Sequence, residues 1–107
     1  MAPLAAAAEQ LALARADADG EVCGFIAYNP GWINHLYIDG DHEGRGLGDS
    51  LLAKAMADGS PRELWTFQQN ARARAFYEAR GFELIRLSDG ADNEEKTPDA
   101  LYAWPGR

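Results

Sequence analysis

From Gln10 to Asp17 the chain alternates Leu11, Leu13 and Arg15 with alanines, then reaches the turn-forming run Asp17-Ala18-Asp19-Gly20 and resumes as EVCGFIAYN. Two runs of this kind around a turn predict a β-hairpin. Alanines favour helix by propensity, so the strand reading of the first run rests on its two-residue period. Pro30-Gly31 breaks the second run, and WINHLYI, residues 32–38, reads as a third strand rich in β-branched and aromatic residues. After the glycine-rich stretch Asp39 to Gly48 the period changes. Leu47, Leu51, Leu52, Ala55 and Met56 form a helical stripe, closed by Asp58-Gly59-Ser60-Pro61. ELWTFQ, residues 63–68, predicts a short buried strand, and Asn70 offers an N-cap to a second helix with Ala73, Phe76 and Tyr77 on one face. Gly81 ends that helix as a C′ residue. FELIRL (82–87) is a strand, an acidic loop follows, and ALYAW (100–104) is the last strand. The order β-β-β-α-β-α-β-β predicts an α/β fold with a mixed twisted sheet containing a β-α-β crossover. No fixed-period repeat and no low-complexity linker interrupts it, so one domain over residues 1–107 is expected.

Composition narrows the function. With 107 residues, 47% apolar and 25% charged, the chain has the make-up of an ordinary soluble domain. The alanine run at residues 5–8 is closed by Glu9 and Gln10, far short of the roughly 18 apolar residues of a membrane helix. No basic segment precedes that run, so no secretory leader is read and the cytoplasm is the expected compartment, with no membrane partner. A single cysteine, Cys23, excludes an intrachain disulfide and a thiolate metal cluster; it sits in an apolar stretch and reads as a buried thiol. Ten Lys and Arg against seventeen Asp and Glu give a net charge of −7, which opposes binding to nucleic-acid phosphates. The signs segregate, however. Asp89, Asp92, Glu94, Glu95 and Asp99 crowd one segment and Arg72, Arg74 and Arg80 another, which leaves room for a local anion site.

The sharpest feature is Glu43-Gly44-Arg45-Gly46-Leu47-Gly48, between a strand and a helix. Glycines at alternate positions let a backbone approach a ligand, and the helix start adds unpaired N–H groups and a positive dipole end, which together suit a pyrophosphate. Arg45 adds a forked cation, whereas Glu43 and Asp49 oppose an anion. A Walker loop needs Lys then Ser or Thr, and neither follows. The dinucleotide fingerprint needs G-x-G-x-x-G, which glycines at 44, 46 and 48 do not match. A calcium loop starting at Asp39 would end on Ser50 instead of Glu, and no helix precedes it. An empty, purely structural turn is the bland reading.

HLYIDGDHEGRGLGDSLL resembles motif A of the GNAT N-acetyltransferase superfamily, whose strand, turn and helix carry Q/R-x-x-G-x-G/A and hold the pyrophosphate of acetyl-coenzyme A. LWTFQQNARARAFYEARGFE is similar to motif B, matched at Asn70, Ala73, Phe76, Tyr77, Gly81 and Phe82. The resemblance runs from about Gln10 to the C-terminus and corresponds to the second through seventh strands of that fold, a short form lacking the first strand and two helices that wall the acceptor cleft. Glu43 replaces the usual Gln or Arg.

The resemblance implies an acetyl-coenzyme A-dependent N-acetyltransferase acting on a primary amine, without a metal. Its cofactor residues would be Leu36, Tyr37 and Ile38 on the third strand, Gly44, Arg45, Gly46, Leu47, Gly48 and Asp49 at the turn, and Asn70, Arg72 and Arg74 on the second helix. Leu36 or Tyr37 would offer a backbone N–H to the oxyanion. Tyr77 would protonate the departing thiolate, although its spacing alone favours packing beside Phe76. Trp32 stands where many relatives carry a glutamate, so His35, Glu94 and Glu95 form the shortlist for the base; His35 also reads as a plain strand residue and the glutamates as a solvated loop. A cationic acceptor and a homodimer completing the missing wall are expected. A noncatalytic acyl-coenzyme A binding or interaction module is the competing reading.

Overall fold

The computed structural model describes residues 9–15, 22–40, 44 and 46–107. Its elements are β1 (Gln10–Arg15), β2 (Val22–Asn29), β3 (Trp32–Ile38), α1 (Leu47–Ala55), β4 (Arg62–Phe67), α2 (Ala71–Glu78), β5 (Glu83–Ser88) and β6 (Asp99–Trp104), the mixed α/β order that the polarity pattern predicts. They fall into two compact units, residues 1–60 and 61–107. Among the described residues no helix is long and apolar enough to cross a membrane.

In the first unit β1, β2 and β3 form an antiparallel meander. Leu13 pairs with Phe25 and Phe25 with Tyr37; one position over, Ala12 pairs with Ile26 and Ile26 with Leu36. Pairing thus overrides the helical preference of the alanines in β1. The expected turn at Asp17 to Gly20 lies outside the described residues. α1 buries Leu51, Leu52 and Ala55, three members of the predicted stripe. Met56 is buried just beyond the helix, and its N–H closes the last turn on the Leu52 carbonyl at 3.0 Å. Cys23 and Ile26 are also buried, so the lone thiol is a core group.

In the second unit β6 lies between β4 and β5 and is antiparallel to both. β4 and β5 therefore run the same way, and α2 is the crossover that joins them. Tyr102 sits at the centre, opposite Leu64 on β4 and Leu84 on β5. A register shift separates Leu84 from Arg86, making Ile85 the extra residue of a β-bulge. The slip leaves Leu84 and Leu87 opposite Tyr102 and Ala100 on one face, while Arg86 lies opposite Leu101 on the other, 5.5 Å from the Trp65 ring.

Both ends of α2 follow local chemistry. The Asn70 side chain accepts the Ala73 N–H at 3.1 Å. At the far end the Phe82 N–H donates to the Tyr77 carbonyl (3.1 Å) and the Gly81 N–H to that of Glu78 (3.3 Å), with Gly81 left-handed at φ 93°. That pair of bonds is a Schellman termination, and its apolar contact is present as the edge-on Tyr77 and Phe82 rings, 5.5 Å apart. The acidic loop between β5 and β6 is tied internally. Asn93 Nδ2 donates to the Thr97 carbonyl (2.8 Å) and to Asp99 Oδ2 (3.1 Å), and its Oδ1 accepts the Thr97 N–H (3.2 Å).

Candidate functional site

The glycine turn opens α1 without a side-chain cap. Gly46 is the N-cap residue in the left-handed region (φ 79°, ψ 8°), and Gly44 shares that conformation at φ 81°. The sequence reading asks for glycine so that a ligand can come close; the backbone shows a second demand, because a Cβ is disfavoured at this φ. Apart from the adjoining backbone, no described atom lies within 4 Å of where either Cβ would stand, and both glycines are exposed. The first helical bond runs from the Ser50 N–H to the Gly46 carbonyl (3.1 Å), so the Leu47 and Gly48 amides precede any acceptor within the helix. Such a terminus attracts an anion, against which exposed Asp49 in the first turn competes. Glu43 and Arg45 lie outside the described residues.

β3 carries the next group. Asp39 donates its N–H to the Cys23 carbonyl at 2.7 Å, in register with the pairs Gly24 and Ile38, Phe25 and Tyr37, and Ile26 and Leu36. Hydrogen-bonded pairs alternate along an antiparallel ladder, so the Tyr37 N–H turns toward β2 and those of Leu36 and Ile38 turn to the opposite edge. Of the two oxyanion donors considered, Leu36 is the one that β2 does not consume. The Leu36 and Ile38 side chains are half-buried, whereas His35, Tyr37 and Trp32 are exposed.

The second unit holds Tyr77 on α2, only 8% exposed and edge-on to Phe76 as well as Phe82. Burial pushes its phenol up to about 12, so at neutral pH it carries its proton and is a donor, never a base. Asn70 is occupied as the cap of the same helix and Arg72 is exposed. Arg74 turns inward: its Nε donates to the Tyr102 hydroxyl (2.9 Å) and a terminal nitrogen to the Gln68 carbonyl (3.3 Å). That hydrogen bond to Tyr102 raises its pKa from the ordinary guanidinium value. The expectation that Arg74 reaches adenosine phosphates thus meets an arginine already engaged. Glu94 and Glu95 are exposed in the acidic loop, and Thr97 Oγ1 donates to the Glu95 carbonyl at 3.1 Å.

Sequence reading misses Tyr102 and Glu78. Tyr102 has no exposed surface, accepts from Arg74 and donates to Glu78 Oε2 at 2.5 Å. Their signal was present: Arg74 and Glu78 lie one helical turn apart, and Tyr102 falls on the inward parity of ALYAW. No three His, Cys, Asp or Glu side chains among the described residues are grouped to hold a metal ion.

Against known proteins, the family model described as "Acetyltransferase (GNAT) domain" matches residues 8–84. An uncharacterized N-acetyltransferase of Archaeoglobus fulgidus is 31% identical over 96 residues, covering 75% of this chain and 64% of that protein. The crystal structure of nourseothricin acetyltransferase superposes with a TM-score of 0.82 at 20% identity, over 92% of this chain and 66% of the other. Arabidopsis thaliana Naa50, in complex with the bisubstrate analogue CoA-Ac-MVNAL, gives a TM-score of 0.71 at 20% identity, over 79% and 66% of the two chains. At such identities the structures establish the fold. This chain spans about two thirds of the length of each of these proteins.

Proposed function

We propose, from the premise that this chain belongs to the GNAT acetyltransferase family, that it moves an acetyl group from acetyl-coenzyme A to a primary amine of a small molecule or peptide. The observation that carries the reading is the left-handed turn at Gly46, which opens α1 without a side-chain cap and leaves the Leu47 and Gly48 amides without an acceptor in the helix. Acetyl-coenzyme A supplies the activated thioester. Gly44, Gly46, Leu47 and Gly48, with Arg45 beside them, would hold its pyrophosphate. Acyl transfer then requires a donor for the developing oxyanion and a proton for the leaving sulfur. The Leu36 N–H, turned away from β2, suits the first requirement. Tyr77, held protonated by burial, suits the second. For deprotonating the amine the shortlist remains exposed His35, Glu94 and Glu95, the last two also serving to attract a cationic acceptor. Leu11, Leu13 and Tyr37, exposed on one face of the meander, support a homodimer.

The test is a calorimetric titration with acetyl-coenzyme A followed by thioester consumption against a panel of primary amines. Binding with turnover supports the enzyme. Binding with no turnover favours the noncatalytic acyl-coenzyme A module, and no binding removes both.

A further inference from the structure

Tyr102 is wholly buried, and a phenylalanine would fill its place without introducing a hydroxyl among apolar neighbours. That hydroxyl is instead gripped twice from α2, by Arg74 Nε at 2.9 Å and Glu78 Oε2 at 2.5 Å. Arg74 also reaches the Gln68 carbonyl, and Gln68 Nε2 donates to the carbonyls of Ser88 (2.9 Å) and Asp99 (3.0 Å). One chain of hydrogen bonds thus fastens α2 to β5, β6 and the segment after β4. Its two grips on α2 stand one turn apart, and Tyr77 lies between them in sequence. The rings of Phe76 and Phe82 meet Tyr77 edge-on, and such apolar contacts are less directional than hydrogen bonds.

The lever arm is long. A tyrosine oxygen stands roughly 9 Å from a helix axis, given a Cα radius near 2.3 Å, so a rotation of about 6° moves it about 1 Å. Displacements of that size cost on the order of 100-fold in rate at a reacting centre. We infer that Tyr102, with Arg74 and Glu78, is a positioning cluster that sets the rotation of α2 and hence the direction of the Tyr77 hydroxyl. The inference rests on the reading of Tyr77 as proton donor.

The experiment is a double-mutant cycle of Tyr102→Phe and Tyr77→Phe, measured as kcat and KM for acetyl-coenzyme A with the best amine of the panel. Tyr102→Phe should lower kcat roughly tenfold while KM for acetyl-coenzyme A stays within about twofold, and the loss should vanish in the Tyr77→Phe background. Wild-type kcat in Tyr77→Phe overturns the proton-donor reading together with the inference. An impaired Tyr77→Phe enzyme beside an unimpaired Tyr102→Phe one, or an equal Tyr102→Phe loss in both backgrounds, overturns the positioning alone. Should Tyr102→Phe fail to fold, exposed Glu78 gives the same answer: Glu78→Gln keeps an acceptor and should hold kcat, whereas Glu78→Ala should lose the same factor. Ring-labelled tyrosine NMR adds a readout without substrate. The Tyr77 ring signal, assigned by its loss in Tyr77→Phe, should shift in Glu78→Ala, and an unmoved signal overturns the inference.

Discussion

Tyr77 joins two effects that pH separates. Its phenol is raised from 10.0 to about 12 by burial, so between those values the unfolded chain releases a proton that the folded chain keeps. Stability contributed by this group is complete below pH 10, falls as pH rises toward 12, and amounts to about 3 kcal/mol for two pH units. Tyr77→Phe should therefore flatten the alkaline loss of stability, read as urea midpoints between pH 9 and pH 12; parallel curves for both proteins would contradict the burial. Catalytically, Tyr77→Phe should lower kcat by about 10²- to 10⁴-fold with little change in acetyl-coenzyme A affinity, as steady-state kinetics beside calorimetry would show. At this scale the sequence was legible where chemistry is local. Asn70 and Gly81 act through amides a few residues away, so spacing alone locates them. Tyr102 pairs with residues 24 and 28 positions earlier, so strand parity and the Arg74–Glu78 spacing mark each residue separately without joining them.

Among the elements, α1 separates two kinds of glycine. Gly46 holds φ 79°, so Gly46→Ala should destabilise the fold by about 1 kcal/mol whatever binds there. Gly48 is inside the helix, where alanine gains about 1 kcal/mol in propensity. Gly48→Ala should then raise the melting temperature yet weaken acetyl-coenzyme A, a pairing of opposite signs that calorimetry and thermal melts together detect; a more stable protein with unchanged affinity would take the pyrophosphate away from this turn. The acidic loop is a second case. Composition identified its charge and not its order, because the Asn93 bonds that shape it depend on backbone groups up to four residues on. Replacing Glu94 and Glu95 with Gln should raise KM for a cationic amine and flatten its salt dependence, and equal kinetics across a salt series would remove the loop from acceptor binding.

For the whole molecule, element order was the most legible property, since changes of hydrophobic period mark each passage between strand and helix. Pairing was less so. In FELIRL the neighbours Leu84 and Ile85 break the alternation, and that break is the register slip seen in β5. Exposed Leu11 and Tyr37 lead to the expectation of a dimeric mass by light scattering at micromolar concentration, which a monomeric mass with full activity would refute.

The same bulge bears on how the protein survives in a crowded solution. Among the described residues β5 pairs with β6 on one side only, and it exposes Leu84, Ile85 and Leu87, a short apolar strand of the kind that templates fibrils. The extra residue spoils the even spacing of amides and carbonyls along its free edge, so an incoming strand finds no continuous ladder to extend. Deleting Ile85 would restore that ladder while leaving Arg86 opposite Leu101 and Leu84 and Leu87 together on the other face. Thioflavin fluorescence after prolonged agitation should then rise in the deletion variant while the parent stays dark, and in this sense the irregularity in β5 is a safeguard of solubility.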